Sequence, residues 1–109
     1  MKPIALILSV LATLTVGCRA PRAPLTVQNP DPSIKIPAIK QAVRTNDRAA
    51  VTQLVRDLDS DDPAVRFYAI EGLQRLTGED FGYRYYEEAG QRKPAVEQWQ
   101  QWLAKQPNK

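Results

Sequence analysis

The fold class expected from the sequence is all-α: a short array of about four helices in hairpins, behind an N-terminal signal and a proline-rich tether. Three features carry this expectation. Apolar residues recur at steps of three and four through Ala50, Val51, Leu54, Val55 and Leu58, and again through Val65, Ala69, Ile70, Leu73 and Leu76. Asp61-Asp62-Pro63 heads the second run, where an aspartate can accept first-turn amides and a proline loses no bond by lacking its own. A third run, Val96, Trp99, Trp102 and Leu103, supplies another apolar face near the C-terminus.

The 109 residues begin with Met1-Lys2, a short positive end, followed by apolar and small residues from Pro3 to Val16 and then Gly17-Cys18. This is the plan of a secretory signal. The apolar stretch is shorter than the roughly 20 residues a helix needs to cross the hydrocarbon core, which disfavours a permanent span. Thr15, Val16 and Gly17 before Cys18, with Leu14 one place further back, resemble the lipobox of bacterial lipoproteins. The resemblance implies removal of residues 1–17, a diacylglyceryl group on the Cys18 sulfur and an acylated new N-terminus. Two or three acyl chains hold a protein to a bilayer lastingly, whereas one binds only marginally. The implied address is the cell membrane or outer membrane, facing the periplasm or exterior. The competing reading is ordinary secretion with an unmodified thiol, but Ala20 and Ala23 are each followed by proline, which blocks cleavage there.

Residues 18–36 form the expected linker, carrying Pro21, Pro24, Pro30 and Pro32 before Pro37. Repeated proline favours extended, semi-rigid chain. The helical domain is expected over 37–105, followed by a tail at 106–109. Ile36, Ile39, Ala42 and Val43 mark a short first helix with Pro37 in its first turn, and Thr45-Asn46-Asp47 breaks it. Asp47 caps a second helix whose outward positions are Arg48, Gln53, Arg56 and Asp57. The third helix runs from Pro63 to a stop at Thr77-Gly78. A fourth is expected from Lys93 to Lys105, with Pro94 near its start and Trp99 and Trp102 on its inner face.

The segment from Asp47 to Thr77 resembles a HEAT-type repeat in its acidic turn at Asp61 and Asp62, Pro63, Val65-Arg66, Ala69, Leu73 and Leu76. The resemblance implies a helical-hairpin unit of an α-solenoid, with Arg66 pairing to the turn aspartates Asp59 or Asp61. Free-standing solenoids generally need three or more units, so the first and fourth helices must cover the ends, and an incompletely covered face could stack on a second copy.

Fifteen basic against twelve acidic residues give a formal charge of +3, with both signs interspersed. That mixture argues for a solvated surface and against a nucleic-acid stripe. Histidine is absent and the single cysteine has a signal context, so no metal cluster or conventional general base is indicated. No phosphate loop or nucleophile elbow occurs, and neighbouring pairs such as Glu87-Glu88 point to different sides of a helix. No catalytic residue and no cofactor are expected. Phe81, Tyr83, Tyr85 and Tyr86 lie in the long connection from Gly78 to Arg92, a candidate contact surface or a cover for an undersized core. The function expected is a non-catalytic protein-interaction module held to a membrane through Cys18. A small-ligand or glycan-binding lipoprotein using residues 81–86 is the alternative.

Overall fold

A computed structural model describes residues 25–107. Its elements are α1 (Pro32–Arg44), a 3-10 turn (Arg48–Ala50), α2 (Val51–Asp57), α3 (Pro63–Thr77) and α4 (Ala89–Ala104), with no strand among the described residues. The described residues are all-helical, as the periodicity required. The signal, Cys18 and the linker as far as residue 24 lie outside the described residues.

The helix ends follow local chemistry. Asp31 caps α1 by accepting from the Ser33 amide at 2.9 Å and the Ser33 hydroxyl at 2.8 Å. Those donors hold the Asp31 carboxyl below its ordinary range. Asn46 turns the chain at a φ of 50°, and Asp47 accepts from the Ala49 amide to start the 3-10 turn that feeds α2. Asp62, rather than Asp61, caps α3 by accepting from the Ala64 amide at 2.8 Å. Gly78 ends α3 at a φ of 83°, a left-handed conformation that glycine adopts without steric cost.

Two expected starts are corrected. Helix α1 begins at Pro32 and α4 at Ala89, so Pro37 and Pro94 are interior residues and the expected domain boundary at 37 falls inside a helix. Pro32 occupies the first-turn position that Pro37 was expected to fill. An interior proline deprives the carbonyl four residues back of its donor. Here those carbonyls belong to Ser33 and Gly90, both exposed residues, and both proline rings are exposed as well, which lets water serve in place of the amide.

Helix α3 is the central element, packing against both α1 and α2. Trp99, Ile39, Leu54, Leu58 and Leu73 are the largest fully buried side chains. Gly72 lets α3 approach closely: a β-carbon there would stand 3.1 Å from Leu54 Cδ1 and 3.3 Å from Ile39 Cγ2. Val27 is buried in the same core, so the body begins well before the expected linker ends.

Asp57, expected to point outward, is buried at the C-terminal end of α2. It receives Lys35 Nζ at 2.7 Å and Gln53 Nε2 at 3.0 Å. The pair is sealed, with side chains 7% and 6% exposed. Charges removed from water in this way must be matched, and Lys35 on α1 matches the carboxylate at the end of α2.

Candidate functional site

The connection between α3 and α4 is anchored at three points. Tyr83, only 6% exposed, donates its hydroxyl to the Leu58 carbonyl at 2.7 Å. Arg66 donates Nε to the Tyr85 carbonyl at 3.0 Å and Nη1 to the Ser60 carbonyl at 2.7 Å. Trp99 donates Nε1 to the Asp80 carbonyl at 3.2 Å, a carbonyl that also receives the Tyr83 amide. Arg66 thus holds two backbone carbonyls, one in the acidic turn and one in the connection. The expected pairing with Asp59 or Asp61 is not made. A guanidinium presents several donors in a fixed fork, which suits it to tying two backbone segments together.

Burial dominates the environment of Tyr83 and pushes its hydroxyl up to about 12, against the opposing pull of Arg92 and Arg66 and with a small addition from Asp59. Phe81 adopts a φ of 52°, unusual for an aromatic residue. Its ring meets Trp99 edge to face at 4.8 Å, and the Gly82 amide donates to Asp80 Oδ1 at 2.8 Å in the same turn. Trp102 is half-buried and meets Trp99 edge to face at 5.4 Å. The four aromatic residues singled out in the sequence therefore divide. Phe81 and Tyr83 cover the core, Tyr85 is half-buried, and Tyr86 is 67% exposed.

The accessible pair does not stand alone. Tyr86 contacts Tyr85 at 5.4 Å, Tyr85 contacts Phe67 at 5.1 Å, and Phe67 contacts Tyr68 at 5.1 Å, each edge to face. Lys40 Nζ sits 4.9 Å from the centre of the Tyr68 ring and closes the row with a cation. Sequence reasoning missed Phe67 and Tyr68. Both fall within the helical run of α3 and are half-buried, so they read as ordinary flank positions. Their adjacency to Tyr85 exists only once the connection folds back along α3.

Beyond Lys40 the row opens into a groove of about 270 Å³ between α1 and α3. Ile39, Val43 and Gly72 form its floor, and Lys40, Arg44 and Arg75 stand around it with Glu71. Arg75 reaches Glu71 at 3.9 Å across an exposed surface, a weak pair. The groove therefore combines an apolar floor with an excess of cations. No group of three or more metal-ligating side chains converges among the described residues. No helix of the described residues is long and apolar enough to cross a membrane. No family model, characterised protein or solved structure matches the chain.

Proposed function

We propose that this chain is a membrane-tethered, HEAT-like interaction module of the bacterial cell envelope, anchored by lipid on Cys18 and binding a protein partner without catalysis. The tether reading rests on Gly17-Cys18 behind an apolar signal. The HEAT-like reading rests on the Asp62 cap, Pro63 and the inward Val65, Ala69, Leu73 and Leu76 of α3 paired with α2. The observation that carries the binding function is the row Tyr86, Tyr85, Phe67 and Tyr68 leading into the cationic groove. Aromatic residues with polar tips supply large contact area at low entropic cost, and Arg and Lys beside them favour an acidic partner segment carrying apolar side chains.

The row's geometry weighs against the glycan alternative. Consecutive rings stand 68° to 88° to one another, so they present edges in turn and not one flat platform for stacked sugars. A photocrosslinker placed at Tyr86 in intact cells tests the proposal. Capture of one protein that disappears with Lys40→Glu or Tyr68→Ala is expected. Capture unchanged by those substitutions, or selective binding on a glycan array, would overturn it. Cys18→Ser should release the chain from the membrane fraction and abolish capture of a membrane-confined partner.

A further inference from the structure

We infer that the end of the helical body formed by the C-terminal turns of α1 and α4 is built to rest on an anionic lipid surface, which turns Tyr85 and Tyr86, tied near Ser60 through Arg66, away from the bilayer; this rests on the anchored reading above. The end in question gathers Leu25, the 3-10 turn and the last turn of α4. Leu25, Thr26 and Val27 line a cavity with Thr45, Asp47 and Ala49, beside the 3-10 turn. On the other side of Ala49 a second cavity, of about 360 Å³, is lined by Arg48, Trp102, Leu103 and Pro107. Leu25 and the end of α4 therefore flank the same turn.

The chemistry of this end is that of a bilayer interface. Leu25 is 54% exposed and offers an apolar side chain to the interface. Trp102 and Leu103 are half-buried at the last turn of α4, and Lys105 follows them, exposed. Tryptophan favours the headgroup region, and lysine and arginine are drawn to anionic lipid. Arg48 is exposed but held in place, donating Nη1 to the Leu76 carbonyl at 2.9 Å. Of the acids near this end, Asp47 is engaged with the Ala49 amide, and Glu79 lies exposed three residues past Leu76 at the end of α3. The opposite end carries Asp31, Asp59, Asp61 and Asp62, which an anionic surface would repel.

Chain length favours the same placement. Six residues lie between Cys18 and Leu25, a span of seven Cα steps and at most about 25 Å. Helix α1 alone is about 20 Å long. To set the acidic end on the bilayer, the tether would have to spend nearly all its length running back along the body. With Leu25 at the surface no such run along the body is needed.

The lipidated full chain in vesicles of phosphatidylcholine and phosphatidylglycerol, with brominated acyl chains as quencher, provides the test. Trp99 is fully buried, so quenching should come from Trp102 and vanish in Trp102→Phe with the fold checked by circular dichroism. Lys105→Glu should lower the ratio of docked to undocked chain by tens of fold, since it removes one cation and adds one anion at about fivefold per charge. Arg56→Glu at the acidic end should leave it unchanged. Vesicle-bound chain whose quenching is the same with and without Trp102, or equally weakened by Arg56→Glu, overturns the orientation while leaving the anchor standing. A chain that fails to float with vesicles, with an N-terminal peptide free of fatty acid, overturns both.

Discussion

Helix α1 and helix α4 flank the central pair in contrasting ways. Helix α1 lies along α3 through small side chains and a close approach at Gly72, with Ala38, Ile39 and Ala42 buried in sequence along its length. Helix α4 has no comparable packing on α3 and meets α2 over a short stretch. It is held chiefly by the large indole of Trp99, with Ala95 and Val96 beside it in the core, and by a connection pinned through Tyr83 and Arg66. Continuous packing distributes stabilisation over many contacts, whereas anchoring concentrates it in a few large groups. The two sides should therefore answer differently to single substitutions.

The largest effect is expected at the anchor. Trp99→Ala removes the fully buried indole, the edge contacts of Phe81 and Trp102 and the bond to Asp80, and should cost about 3–5 kcal/mol in chemical denaturation. A loss below about 1 kcal/mol would show that α4 is not held by this residue. Next comes the buried pair on the α1 side. Lys35→Ala leaves Asp57 charged and without its cation, and should cost about 3 kcal/mol. Lys35→Met with Asp57→Leu should recover most of that stability, because matched apolar groups need no compensation.

Gly72→Ala sharpens the contrast on the packed side. Helix propensity alone would favour alanine by about 1 kcal/mol, but a β-carbon crowding Leu54 and Ile39 should reverse the sign and give a net loss of about 1 kcal/mol. Net stabilisation would mean that the α1–α3 contact is loose. Tyr83→Phe is expected to be the mildest at neutral pH, about 1 kcal/mol for the lost bond to Leu58. Its signature is alkaline. Tyr83 keeps its proton to about 12 when folded and to about 10 when unfolded, so its stabilisation is complete below pH 10 and lost as pH rises through 12. Wild type should lose about 1–2 kcal/mol over that window, discounted for solvent near the hydroxyl, and Tyr83→Phe should lose less.

The same contrast explains what could be read from the sequence. Helices α2 and α3 were legible because a periodic apolar face marks both; Asp62 with Gly78 bounds α3, whereas Asp47 caps the 3-10 turn that leads into α2 and not α2 itself. The starts of α1 and α4 were misplaced because a proline inside a helix resembles one at its beginning; only Asp31 before Pro32 carried the true signal for α1. Asp57 read as outward because periodicity assigns polar residues to solvent, and its partner Lys35 lies twenty-two positions away on another helix. The candidate surface was half legible. Tyr85 and Tyr86 stood out in a long connection, but their continuation through Phe67 and Tyr68 depends on a fold-back fixed by Tyr83 and Arg66.

Val27 has a mechanical consequence. A pull applied to the chain ahead of Leu25 enters the body there and meets Val27, a single small side chain in the core, before it reaches the cap at Asp31. Extracting that side chain would free the seven residues from Leu25 to Asp31 while α1 stays folded, but their contour of about 25 Å is little more than the roughly 20 Å of α1 they already run beside. The segment is thus the first part of the body that tension would load, ahead of the helices.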